Sequence, residues 1–134
     1  MLKRLWRTRP YAPDLGLLLL RVSVSLLLMQ YGWEKLTKYN EWSADFPDPL
    51  HVTPPISLAL TIFAELFCSC FLLFGLFTRI VLIPLMFTML TLVFIVHAND
   101  PFRIKEHAVS FLVPYIALFL TGPGRYSLDH QLKR

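Results

Sequence analysis

The sequence predicts an all-α protein, a four-helix transmembrane bundle with its N and C termini cytoplasmic, and three observations predict it. The chain has 134 residues, is 55% hydrophobic with a mean hydropathy of +0.53, and only 16% of it is charged. A soluble domain carries about a quarter charged residues, and no soluble fold of this length could hide so much apolar surface. The apolar residues fall in four continuous runs without the period-two alternation of strands. The basic residues flank those runs instead of forming one face, so the formal charge of +4 does not point to nucleic acid as a partner. The partner that remains is the lipid bilayer, and the length suits one domain, residues 1–134.

The first span is expected at about 14–34, where residues 15–31 are apolar except for Arg21, Ser23, Ser25 and Gln30. The basic start Lys3-Arg4-Leu5-Trp6-Arg7 fits a signal peptide, but Arg21 inside the apolar run and the lack of a small-x-small cleavage site favour a retained helix. The second span, about 55–77, is interrupted only by Glu65 and a few hydroxyls. The third, about 79–97, holds no charge between Ile80 and Val96. The fourth, about 104–121, ends at Gly122-Pro123-Gly124. Crossing the hydrocarbon takes ~17–25 residues at about 1.5 Å each. Pro84 and Pro114 lie inside spans three and four, where a transmembrane helix tolerates proline with a kink.

Residues 75–79 make a tight turn, so spans two and three form an antiparallel hairpin. The one long loop, 37–54, holds Trp42, Phe46, Pro47, Pro49 and Pro54; it reads equally as an ordered amphipathic flap or a plain connection. Orientation follows from lysine and arginine. Lys3, Arg4, Arg7, Arg9, Arg79, Arg125, Lys133 and Arg134 fall on one side, and Lys35, Lys38, Arg103 and Lys105 on the other. The richer side faces the cytoplasm. Aromatic belts agree, with Trp6, Tyr11 and Tyr126 inside and Trp33, Tyr39 and Trp42 outside.

An ionisable group at the bilayer centre costs ~2.5 kcal/mol or more and needs a partner or water. At 100° per residue, Arg21, Ser25, Leu28, Gly32 and Lys35 form one stripe of span one, with Ser23, Gln30 and Glu34 opposite. Arg21 either snorkels to the cytoplasmic headgroups or pairs within the bundle. Glu65, mid-span, is too short to snorkel. The rise per residue puts the two Cα atoms about 9 Å apart in depth, and a buried Arg21–Glu65 ion pair is the expectation, structural or functional in equal measure. Glu106 and His107 fall at about the depth of Gln30 and Glu65. Four helices would thus bring polar groups to one level of the outer half, as a pocket or as a solvated loop end. For His97 and Lys105 the loop reading is favoured.

Cys68 and Cys70 point about 200° apart on a helix and cannot bridge, so they read as packing residues. No Cys-x-x-Cys, His-x-x-x-His or Glu-x-x-His is present, and no nucleophile motif or glycine-rich phosphate loop. The residues therefore name no catalytic set, no metal and no cofactor.

The chain resembles the DoxX family of small bacterial membrane proteins. The pieces that carry the resemblance are Leu20-Arg21-Val22, Gly32-Trp33-Glu34-Lys35-Leu36, Ala64-Glu65-Leu66, Gly75-Leu76-Phe77-Thr78-Arg79, and the stretch from Gly122-Pro123-Gly124-Arg125 through Tyr126-Ser127-Leu128-Asp129. Cys68 departs from the small residue expected there. The resemblance implies a four-helix fold in the bacterial inner membrane and matches Arg21, Lys35, Glu65 and Arg79 to the family's polar positions. It also implies an association with quinone-linked redox complexes, although most members have no established activity. Three functions stay open. One is a redox-associated subunit whose pocket holds a quinone or similar lipid-soluble carrier, with Glu65 or His107 relaying protons and any redox cofactor in a partner protein. The others are a non-enzymatic scaffold or assembly factor, and a small transporter or lipid-handling protein acting as a homodimer.

Overall fold

The computed structural model describes residues 12–132 together with Lys3 and Trp6. Leu5, Arg4, Arg7, Arg9, Tyr11, Lys133 and Arg134, which enter the signal-peptide and orientation arguments, lie outside the described residues. Among the described residues the regular elements are all helices. Four are long and apolar enough to cross a membrane: α1 Pro13–Thr37, α2 Pro54–Phe74, α3 Thr78–Val96 and α4 Phe102–Thr121. The first two start where the chemistry favours it. α1 opens on proline with Asp14 in its first turn, and α2 opens on Pro54-Pro55, whose fixed φ suits a helix start.

α2 stops at Phe74, three residues short of the sequence expectation, because Gly75 adopts φ +69. The Gly75 amide donates to the Leu72 carbonyl and the Leu76 amide to the Phe71 carbonyl, the pair of bonds that closes a helix on a left-handed glycine. The hairpin turn follows directly. Pro84 and Pro114 both lie within continuous helix. Thr88 Oγ1 folds back one turn and donates to the Pro84 carbonyl at 2.8 Å. Two stretches wind more widely, as π-helix: Phe63–Cys68 in α2, which carries Glu65, and Leu92–Val96 at the end of α3.

The helices pack in chain order, α1 on α2, α2 on α3, α3 on α4, with α4 returning to α1. Leu28, Leu58, Leu72, Leu82, Leu85, Met89, Tyr115 and Leu118 fill the centre and are fully buried. The outer faces are as apolar as the core: Leu19, Phe67, Ile80, Phe94 and Leu120 are all exposed. In water such a belt would drive aggregation; in hydrocarbon it costs nothing. The 37–54 loop is held by its own bonds. Asp48 accepts from the Val52 and Thr53 amides, Ser57 Oγ donates to the Pro47 carbonyl, and Tyr39 Oη donates to the Pro55 carbonyl.

Candidate functional site

The buried face of α1 is the stripe expected of it. Arg21, Ser25, Leu28 and Gly32 are buried, while Ser23, Gln30 and Glu34 are exposed on the other side. At Gly32 the helix comes close to α2: a Cβ there would lie 3.1 Å from the Glu65 carbonyl carbon and 3.1 Å from the Leu66 nitrogen. Glycine is therefore favoured by a close backbone approach, and that approach sets Glu65 level with residue 32.

Lys35, one turn beyond Gly32, closes the site. Its Nζ donates to Glu65 Oε2 at 2.8 Å and Oε1 at 3.1 Å. Glu65 is 1% exposed and Lys35 17% exposed, so the ammonium retains a path to the surface while the carboxylate has none. The expected Arg21–Glu65 pair does not form. Arg21 stands eleven residues below Gly32, about 16 Å along the axis at the helical rise, beyond the reach of its side chain. Counting depth from the ends of apolar runs misplaced the two residues, because α1 and α2 are offset relative to those ends. Arg21 does not snorkel either. It is 2% exposed, and its guanidinium donates to the carbonyls of Leu73 at 3.3 Å, Pro123 at 2.7 Å and Tyr126 at 2.7 Å. Leu73 lies in the last turn of α2, where carbonyls lack helical partners, so a planar fork of donors is well placed there.

The other expected residues divide. Gln30 is exposed and joins no polar cluster. Glu106 and His107 lie in the first half of α4 and border a groove of about 470 Å³ between α4 and α1, lined also by Tyr31, Arg103, Ser110 and Phe111. The His107 ring stands 4.4 Å from the Tyr31 ring and 5.1 Å from the Phe111 ring, both near edge-to-face. Its Nε2 is buried and has no hydrogen-bond partner. His97 pairs with Asp100 at 2.8 Å and Lys105 Nζ reaches the Ala98 carbonyl, so both belong to the loop end rather than to the groove. Cys68 is buried and Cys70 half-buried, both as free thiols.

Tyr31, Ser110 and Phe111 were not singled out from the sequence, whereas Arg103 was, as one of the charged residues at the outer end of the bundle. A signal for them existed: Arg103, Glu106, His107 and Ser110 recur at i, i+3, i+4 and i+7, a polar stripe on one face of an otherwise apolar helix. Among the described residues no cluster of side chains suits a metal ion.

Four apolar helices around a packed core, with charged groups tied inside, define a multi-pass membrane protein. The chain belongs to the DoxX family, whose sequence profile matches residues 16–98. It is similar to inner membrane protein YqjF of Escherichia coli (strain K12), at 31% identity over 128 residues, covering 90% of this chain and 95% of that protein. No solved structure matches it. The profile match includes Arg21, Lys35, Glu65 and Arg79, whereas Glu106 and His107 fall beyond it.

Proposed function

We propose that the chain is a redox-associated inner-membrane subunit, one domain over residues 1–134, that binds a quinone or similar lipid-soluble molecule in the α1–α4 groove. Both termini lie in the cytoplasm in this reading, which rests on the lysine and arginine counts. The groove then opens in the outer half of the bilayer. The observation that carries the reading is His107: an imidazole nitrogen without a partner, at a groove wall, between two aromatic rings. A buried nitrogen left unpaired costs ~1–3 kcal/mol, which a ligand oxygen would offset. A quinone offers carbonyl oxygens to His107 and Ser110, a flat ring to Tyr31 and Phe111, and an isoprenoid tail to Val24 and Leu27. The groove volume is within the ~300–1,000 Å³ usual for small-molecule sites. Glu65 is engaged by Lys35, and this moves the proton-handling role from Glu65 to His107.

The test is binding of a short-chain quinone to the protein in nanodiscs, read by quenching of intrinsic fluorescence. His107→Phe keeps a ring of similar packing and removes the nitrogens; affinity should fall about tenfold, the equivalent of one lost hydrogen bond of about 1.4 kcal/mol. Equal affinity in the variant would rule the site out.

The second reading, a scaffold that docks a partner protein, is favoured by the hydrogen-bonded 37–54 loop, whose rigidity suits a fixed docking surface. Cross-linking from Leu50, exposed on that loop, should then capture one stoichiometric partner, and capture of none would count against it.

A further inference from the structure

At the end of the bundle opposite the 37–54 loop lies a second groove, of about 930 Å³, between the start of α3 and the segment that follows α4. Thr78, Arg79, Gly122, Arg125, Asp129 and His130 line it, with Asp14 at its edge. Its two carboxylates are already engaged by backbone donors. Asp129 Oδ1 and Oδ2 accept from the Phe77 and Thr78 amides at 2.7 and 2.8 Å, and Asp14 Oδ1 accepts from the Arg125 amide at 3.0 Å. The two arginines are differently placed. Arg79 donates through Nε to the Phe119 carbonyl at 3.0 Å, which leaves its terminal nitrogens for another acceptor, and neither arginine forms an ion pair with a described residue. Both side chains are exposed.

Thr78 supplies an independent sign of a ligand. It is 1% exposed, and its Oγ1 has no hydrogen-bond partner although the residue borders the groove. Phe77, Ile80 and Leu132 line the same groove and are exposed beside the two arginines. Two guanidinium groups and a hydroxyl lining one groove together with exposed apolar side chains match a phosphate whose other side carries acyl chains. A soluble anion would use the arginines and leave the apolar residues without a role.

We propose that this groove binds the phosphodiester headgroup of an anionic phospholipid, with Arg79 and Arg125 on the phosphate oxygens and the Thr78 hydroxyl donating to one of them. Basic sites between helices at the bilayer surface recognise lipid headgroups by this chemistry. The site is independent of the α1–α4 groove, and neither depends on the other being occupied.

The experiment measures lipid retention by native mass spectrometry, on full-length protein offered phosphatidylglycerol or phosphatidylcholine in mild detergent. Wild-type protein should retain phosphatidylglycerol in preference. Arg125→Gln removes a side chain that holds no described contact, and Thr78→Val removes only the unpartnered hydroxyl. Arg125→Gln should lower retention about fivefold, the usual worth of one basic residue near an anionic membrane surface, and Thr78→Val should lower it measurably, both with unchanged melting temperature. Equal retention of the two lipids, or variants indistinguishable from wild type, would overturn the proposal. Inorganic phosphate that displaces the lipid at equal concentration would also overturn it, by making the groove a site for free phosphate.

Discussion

Lys35 and Glu65 are the residues on which the bundle's electrostatics turn. A carboxylate 1% exposed carries a heavy desolvation cost, and only a bidentate contact at 2.8 and 3.1 Å offsets it. The pair is therefore worth little in net stability, yet breaking it is expensive, because one charge is left behind in a low-dielectric site. Lys35→Met should destabilise the protein by about 3–5 kcal/mol. Lys35→Met combined with Glu65→Leu should cost less than Lys35→Met alone, since no charge is stranded. Denaturation of the purified protein in detergent, run as a double-mutant cycle, measures the coupling; additive losses would mean that the contact is absent from the folded protein. Both residues were legible as functional-grade polar positions in the sequence. Their pairing was not, because helical phase places Arg21 and Lys35 on the same stripe, and only the offset of α1 against α2 decides which of them meets Glu65.

The contact between α1 and α2 depends on what Gly32 lacks. Replacing glycine with alanine in a helix interior normally gains about 1 kcal/mol. At Gly32 the added Cβ would meet backbone atoms of α2 at 3.1 Å, and backbone cannot move aside as a side chain can. Overpacking of this kind costs about 1–3 kcal/mol, so the penalty wins. Gly32→Ala should lower the melting temperature, while Gly16→Ala, with nothing within 4 Å of the new methyl, should raise it or leave it unchanged. A rise in both would show that the helices do not approach at Gly32. The π-helical stretch Phe63–Cys68 lies at this same contact, and such stretches are frequent at functional positions. Neither the wide turn nor the close approach has a sequence signal of its own: Phe63–Cys68 reads as ordinary apolar helix.

At the scale of the whole molecule, one end is closed by residues 123–129. Arg21 of α1 bonds the carbonyls of Leu73, Pro123 and Tyr126, Asp129 accepts from the Phe77 and Thr78 amides, and the Asp129 amide donates to the Gly75 carbonyl. The chain beyond α4 thus acts as a clasp across α1, α2 and α3. Arg21→Lys keeps the charge and loses the planar fork, so it should destabilise by about 1.5–3 kcal/mol, the worth of a hydrogen bond to a charged group. Removing residues 123–134 should be far more damaging with Arg21 present than in an Arg21→Leu chain, since the clasp's main task is to receive that guanidinium. Equal losses in the two backgrounds, read by thermal unfolding, would refute the clasp.

Sequence was enough to define the class, the four spans, the tight turn after α2 and the positions where charge enters the membrane. It could do so because hydrocarbon penalises every unpaired polar group, and that penalty is written into composition and run length. The resemblance to the DoxX family marked Arg21, Gly32-Trp33-Glu34-Lys35, Glu65 and the Gly122–Asp129 stretch as parts of one pattern. Tertiary structure alone decided the partners: Lys35 rather than Arg21 for Glu65, three carbonyls rather than a carboxylate for Arg21, a groove for His107 and open exposure for Gln30. Partner choice depends on the offset between helices. That offset is set by one close approach at Gly32 and by the clasp at the far end, both contacts between residues distant in the chain.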